Sequence, residues 1–192
     1  MNNMGKRVYI IHGWDGYPEE GWFPWLKKEL EERGFAVQVP PMPHPEKPTI
    51  EDWVSCVSNV VGEPDEETYF VGHSMGNQAI LRYIEGLPAG AKVGGAVFVA
   101  GFFELTGLDE EEQKIAKPWL ETPIDCTKVK QHANKFVAIF SDNDPFVSLR
   151  NKELMEQRLG AKTIVEKGKG HFSGDDGVKE LPSVLRAVLE FS

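Results

Sequence analysis

Short apolar runs alternate along this chain with longer amphipathic stretches. Six runs rich in β-branched and aromatic residues predict strands at 7–11, 35–39, 68–72, 93–100, 135–140 and 162–166. Five stretches with apolar residues at helical spacing predict helices at 22–33, 49–61, 75–85, 148–159 and 182–191. Strands connected through helices form right-handed crossovers. The pattern therefore predicts an α/β fold, with a six-stranded, mainly parallel sheet covered by helices on both faces.

The fourth run contains AVFVA (96–100), in which every residue is apolar. A strand without alternation of apolar and polar residues fits burial on both faces of a sheet. In such sheets the chemistry collects beyond the carboxyl ends of the strands. Reactive side chains are therefore expected directly after the apolar runs.

The length and charge of the chain limit its organisation and its partners. At 192 residues it can bury a substantial core in one domain, which we expect to span residues 1–192. The net charge is −9, and no segment is rich in Lys and Arg. Nucleic acids and anionic membrane surfaces are therefore not expected as partners.

The two cysteines, Cys56 and Cys126, have neither CxxC spacing nor a neighbouring Cys/His cluster. A disulfide framework or a structural zinc site is therefore not expected. The N-terminal apolar stretch is far shorter than the core of a signal peptide, and no stretch approaches the length of a membrane span. These features predict a cytoplasmic, reduced protein.

A serine bracketed by two glycines follows the third predicted strand, in VGHSMGN (71–77). Ser74 lies between Gly72 and Gly76 and opens the predicted helix at 75–85. Strand, turn and helix are the context of a GxSxG nucleophile elbow, in which the glycines remove collisions with the adjacent strand and helix. The alternative is a tight strand-to-helix turn without a catalytic role.

An aspartate and a histidine follow two later strands. SDNDPFVS (141–148) follows the fifth run, and His171 lies in GKGHFSG (168–174) after the sixth. A serine hydroxyl needs a base to remove its proton, and an imidazole needs a carboxylate to fix its tautomer. The order Ser74, Asp144, His171 is the one that this architecture uses. The alternatives are an Asp-Pro turn, with Asp142 as a surface or capping group, and a solvated loop histidine.

The segment IHGWDG (11–16) follows the first strand. A turn there can offer the backbone N–H of Trp14 to a tetrahedral oxyanion, together with the N–H of Met75 after the nucleophile. His12 is interpreted as loop scaffolding and not as a second base. The alternative is a glycine turn without a catalytic donor.

Five segments together resemble a known family. They are GWFPWLKKELEERGF (21–35), PMPHP (41–45), VGHSMG (71–76), SDNDPF (141–146) and KGHF (169–172). In this order they are similar to the small serine-hydrolase family of α/β-hydrolases that includes retinoblastoma-binding protein 9. The resemblance implies a compact α/β-hydrolase without a large lid, a triad of Ser74, Asp144 and His171, and hydrolysis of small esters or amides.

The family pattern favours Asp144 over its close competitor Asp142, because Asp144 directly precedes Pro-Phe. Binding to the retinoblastoma protein goes with an LxCxE motif, which is absent from this sequence. That partner is therefore not expected. No metal or organic cofactor is expected either, since a triad supplies both nucleophile and base.

We therefore predict a serine hydrolase that cleaves small carboxylic esters through an acyl-enzyme on Ser74. Four aromatic residues could line an apolar acyl pocket, with Trp119 as its roof, or could be ordinary core and rim residues; they are Phe102, Phe103, Trp119 and Phe146. The segment between the fourth and fifth strands has room for a short cap at most, which favours small substrates. The same triad would also serve an amidase, an aminopeptidase or a thioesterase. A non-enzymatic interaction protein on a hydrolase fold is the remaining alternative.

Overall fold

The structure, a computed structural model, describes residues 5–192. Six strands form one sheet in the order β2-β1-β3-β4-β5-β6, and all five neighbouring pairs are parallel. The strands are β1 Arg7–Ile11, β2 Ala36–Gln38, β3 Thr68–His73, β4 Gly95–Val99, β5 Phe136–Ser141 and β6 Lys162–Glu166. The predicted sheet is confirmed, and every run that predicts a strand contains one.

The described residues form seven helices, two more than the pattern predicts. They are α1 Phe23–Glu31, α2 Ile50–Val61, α3 Met75–Glu85, α4 Glu110–Glu121, α5 Cys126–His132, α6 Arg150–Leu159 and α7 Pro182–Phe191. The five predicted helices are α1, α2, α3, α6 and α7. The two additional helices, α4 and α5, occupy the segment between β4 and β5, where only a short cap was expected. Helix α4 begins at a capping box, in which Asp109 and Glu112 each accept a backbone N–H from the other.

The sheet is buried most deeply at its centre. All residues of β3, β4 and β5 are buried, whereas the edge strand β6 contains no fully buried residue. Helices α1 and α7 pack together, and α3 packs against both α2 and α5. Burial of the central strands on both sides explains their continuous apolar sequence.

Helix α3, which begins directly after Ser74, is enclosed along most of its length. Its ten residues from 75 to 84 are all buried. Nη2 of Arg82 donates there to the backbone carbonyls of Trp119 and Thr122, at 2.9 and 2.7 Å. The helix that carries the candidate nucleophile at its N-terminus is therefore held firmly against its neighbours.

Trp119 lies in the core and does not form a roof over the site. It is 1% exposed, and its ring packs edge-on against Trp53 with a centroid distance of 5.9 Å. Its Nε1 donates a hydrogen bond to the carbonyl of Pro48 at 3.0 Å. The expected roof is thus wrong because α4 turns this indole inward, toward the start of α2.

The composition predicts neither a disulfide framework nor a membrane span, and the cysteines and helices of the structure bear on these two expectations. Cys56 and Cys126 are both free and half-buried. Between residues 5 and 192, no helix is both long enough and apolar enough to cross a membrane.

Candidate active site

Ser74, His171 and Asp144 lie in hydrogen-bond contact beyond the carboxyl ends of β3, β6 and β5. Ser74 Oγ is 2.9 Å from His171 Nε2, and His171 Nδ1 is 2.9 and 3.1 Å from the two carboxylate oxygens of Asp144. A carboxylate only accepts hydrogen bonds, so Nδ1 of the neutral imidazole carries the proton. Nε2 is then free to accept the hydroxyl proton of Ser74.

Ser74 has a strained backbone, with φ 50° and ψ −118°. A positive φ is uncommon for a residue with a side chain and costs about 1–3 kcal/mol. Two hydrogen bonds hold this turn: the N–H of Ser74 donates to the carbonyl of Val99 at 2.9 Å, and its carbonyl accepts from the N–H of Asn77 at 3.0 Å. The strain therefore persists because both flanks of the turn are fixed.

The two bracketing glycines are required by close contacts. A Cβ at Gly72 would collide with the side chain of Asn77. A Cβ at Gly76 would lie 2.6 Å from the carbonyl oxygen of His12 and would collide with that of Ile11. Helix α3 thus approaches the end of β1 so closely that only glycine fits at position 76.

Asp144 and Asp142 have different partners. The Asp144 side chain is 1% exposed, and its Oδ1 also accepts from the N–H groups of Phe146 and Val147, at 2.9 and 3.0 Å. Asp142 is exposed, and its Oδ1 accepts from the N–H of Gly168 at 2.8 Å. Asp144 therefore contacts the imidazole of His171, whereas Asp142 binds the loop that precedes His171.

The loops after β5 and β6 are joined by further hydrogen bonds that the sequence pattern does not reveal. Ser141 Oγ accepts from the N–H of Lys169 at 3.0 Å, and Asn143 Oδ1 accepts from the N–H of Gly170 at 2.9 Å. With the bond from Gly168 to Asp142, three consecutive amides before His171 are held. In the sequence, only the polar run SDND (141–144) indicates that these side chains hold the loop before His171.

The amides of Trp14 and Met75 both belong to residues that line the cavity beside Ser74. Within the described part of the chain, neither amide donates to a protein acceptor. Met75 is the first residue of α3, where amide groups are oriented toward the helix N-terminus and favour negative charge. The two groups can therefore donate to an oxygen atom bound beside Ser74.

His12 connects two loops next to this cavity. Its Nε2 accepts from the N–H of Met42 at 3.0 Å, so its Nδ1 carries the proton and donates to the carbonyl of Gly13 at 2.8 Å. Burial lowers the pKa of His12, although the bond to Gly13 opposes the shift. A neutral ring with both nitrogens engaged acts as scaffolding, in agreement with its interpretation from the sequence.

The cavity beside Ser74 has a volume of about 180 Å³. Phe102 and Phe146 line it, together with Leu105 and Leu108 from the segment before α4. Phe103, also expected there, does not line it: its ring lies under the guanidinium of Arg158, at 4.5 Å from the centroid. Phe103 is instead bound to α6 by its backbone as well, since its N–H donates to Oδ1 of Asn151 at 2.8 Å.

Three carboxylates also line this cavity, although the sequence did not single them out. Asp15 and Glu20 come from the loop between β1 and α1, Glu112 comes from α4, and no Lys or Arg lies among the lining residues. Burial raises the pKa of Glu20. The cavity therefore combines an apolar wall with a negatively charged rim. Within residues 5–192, no group of three or more His, Cys, Asp or Glu side chains is placed to hold a metal ion.

Comparisons with known proteins identify the family and the fold of this chain. A model of the serine hydrolase family matches residues 8–190. The chain is 35% identical to YdeN of Bacillus subtilis over 192 residues, which cover 98% of this chain and 97% of the relative. It is 28% identical to the serine hydrolase RBBP9 of Rattus norvegicus over 170 residues, which cover 88% and 87% of the two chains. The crystal structure of the ydeN gene product superposes with a TM-score of 0.89 at 32% identity, covering 97% of this chain and 98% of the other.

The substitution Gly76→Ala tests the close contact between α3 and β1. The added methyl group meets two backbone carbonyls that cannot turn away, so we expect a loss of about 1–3 kcal/mol in the free energy of unfolding. Urea denaturation measures this loss. Gly86→Ala at the other end of α3 is the matched control, since its φ is −82° and its nearest neighbour would be 3.4 Å away. Equal stability of the two variants would contradict the proposed packing.

Proposed function

The chain belongs to the serine hydrolase family, and we propose that it hydrolyses small carboxylic esters through an acyl-enzyme formed on Ser74. The observation that carries this proposal is the unbroken hydrogen-bonded series from Ser74 Oγ through His171 to Asp144. Such a series can raise the nucleophilicity of a hydroxyl that is otherwise a weak nucleophile.

The proposed reaction has two steps, the acylation and the deacylation of Ser74, and in each of them His171 first takes a proton and then returns it. Ser74 Oγ attacks the ester carbonyl while His171 Nε2 takes its proton, and Asp144 stabilises the imidazolium that results. The amides of Trp14 and Met75 donate to the oxyanion. His171 then returns the proton to the departing alcohol, which leaves an acyl group on Ser74. Water then attacks this acyl group while His171 takes a proton from it. His171 returns that proton to Ser74 Oγ as its bond to the acyl carbon breaks, which releases the acid and restores the free enzyme.

The strain at Ser74 supports an enzyme over an interaction protein on the same fold. A positive φ at this serine costs about 1–3 kcal/mol and is retained where a side chain must be exposed in one orientation. A protein that only binds a partner through its surface does not require a serine with a strained backbone at this position. The aligned imidazole and the free amides of Trp14 and Met75 add to this argument.

The cavity supports small substrates without a strong negative charge. Its volume of about 180 Å³ suits a short acyl group against Phe102 and Phe146. The carboxylates of Asp15, Glu20 and Glu112 would repel an anionic group at the rim. An amide or a thioester could occupy the same position, so these bonds are the alternatives to be compared with the ester. We retain a cytoplasmic location as part of the proposal, on the basis of the two free cysteines.

Asp144→Asn and Asp142→Asn distinguish the two aspartates. Asparagine at 144 no longer fixes the required tautomer of His171, so we expect kcat for a p-nitrophenyl ester to fall by about 10⁴-fold. Asparagine at 142 keeps an oxygen that can accept from the N–H of Gly168, so its kcat should stay near that of the parent. Steady-state ester hydrolysis measures both. A large loss confined to the Asp142 variant would overturn the assignment.

A panel of p-nitrophenyl esters tests the proposed substrate class. We expect kcat/KM to be highest for short acyl chains and to fall for long ones, because the cavity encloses little more than a small acyl group. A short ester that ends in a carboxylate should be cleaved less efficiently than its uncharged counterpart of equal length. A preference for long chains, or for the anionic ester, would refute this part of the proposal. Matched anilides and thioesters in the same assay compare the alternative bonds.

A further inference from the structure

Four polar atoms of His171 are hydrogen-bonded, and the contacts of the two backbone atoms have no part in the proposed reaction. The imidazole nitrogens contact Asp144 and Ser74, and the backbone N–H donates to Asp176 at 2.9 Å. The backbone carbonyl accepts from Nε2 of His73 at 2.7 Å. This last bond connects residues that are 98 positions apart in the sequence.

His73 directly precedes Ser74 at the end of β3. Its hydrogen bond therefore connects the strand that carries the nucleophile to the loop that carries the base. Because a carbonyl only accepts, Nε2 of His73 must carry the proton. Its Nδ1 then has a lone pair, and no donor among the described residues satisfies it.

The neutral form of His73 is stable over a wide pH range. The ring is buried against Trp22 and Phe23, with centroid distances of 6.2 and 6.1 Å. Burial, reinforced by the neighbouring His171, lowers the pKa of His73 to about 3. The ring thus stays uncharged and donates to the His171 carbonyl at any pH at which ester hydrolysis would be measured.

Trp22 makes the equivalent contact one residue further on. Its Nε1 donates to the carbonyl of Phe172 at 3.1 Å, and Phe172 has a φ of 58°. Two buried ring N–H groups thus hold the carbonyls of two consecutive residues. The second of these residues is in a conformation that L-residues adopt only under constraint.

We infer that His73 is a positioning residue of the hydrolytic site, which acts with Trp22 by fixing the backbone at residues 171–172. The inference rests on the proposed function, since it concerns the distance between His171 Nε2 and Ser74 Oγ. The contacts to Asp144 and Asp176 hold one side of His171, and the His73 donor holds the other. Without that donor the imidazole can move away from Ser74. His73 also lines the cavity, but the aromatic wall of Phe102 and Phe146 is left unchanged.

A purely space-filling role for His73 makes a different prediction. An apolar side chain of similar size would pack equally well against Trp22 and Phe23. It would leave the part-buried His171 carbonyl without its donor, which favours displacement of the loop. If His73 acts through its N–H group, activity should be lost when residue 73 has no N–H donor, whatever the volume of its side chain.

The test compares three variants in steady-state ester hydrolysis. Glutamine carries its amide N–H at the same number of bonds from Cα as Nε2 of histidine, so His73→Gln should stay close to the parent. His73→Leu lacks a donor and should lose about 10–100-fold in kcat with little change in KM, since a displacement of about 1 Å can cost 10²-fold. Trp22→Phe removes the neighbouring donor but keeps a ring, and should show a smaller loss of the same kind.

Hydrogen exchange measured by mass spectrometry provides a readout that does not depend on activity. Amides of residues 167–177 should exchange faster in His73→Leu than in the parent, and at the parent's rate in His73→Gln. Parent-like kcat in His73→Leu, or an equal loss in the Gln and Leu variants, would overturn the proposal. If His73→Leu fails to fold, unchanged kcat and exchange in Trp22→Phe would overturn it instead. If the parent itself cleaves no ester, the proposed function fails, and the exchange rates alone decide whether His73 anchors the loop.

Discussion

The close approach of helix α3 to the carboxyl end of β1 is the constraint on which the candidate site depends. Gly76 permits this approach, because any larger residue would meet the carbonyls of Ile11 and His12. The same approach places Ser74 at the top of the turn with a positive φ, next to the segment that contains Trp14. One packing contact thus exposes the hydroxyl, orients the first amides of α3 and brings the β1 loop to the cavity.

Hydrogen bonds, and not packing alone, hold His171 and the loop that contains it. Side chains of the SDND run bind three amides before His171, and ring N–H groups of His73 and Trp22 bind two carbonyls at and after it. Most of these side chains lie at the carboxyl ends of β5 and β3, which flank β4 in the same sheet, so the sheet itself sets their spacing. The loop between β6 and α7, which contains four glycines, is ordered in this way without a helix or strand of its own.

The strands and the strand-end positions of Ser74, Asp144 and His171 could be predicted from the sequence, because apolar runs and chain order carry that information locally. Helices α4 and α5 could not, since their exposed, charged surfaces give a weak apolar stripe and α4 contains Pro118, a residue that disfavours a helix interior. The positions of Trp119 and Phe103 depend on how those segments pack, which no local pattern records. The bond from His73 to the His171 carbonyl joins distant segments, so it becomes visible only in three dimensions.

Labelling with a fluorophosphonate probe tests the central claim most directly, because such probes form a covalent bond with an activated serine. We expect the parent to be labelled, with the mass shift on the peptide that contains Ser74, and Ser74→Ala to remain unlabelled. Ser58→Ala, at an exposed position on α2, should be labelled like the parent. A folded parent that takes up no probe would contradict the account, and so would equal labelling of Ser74→Ala.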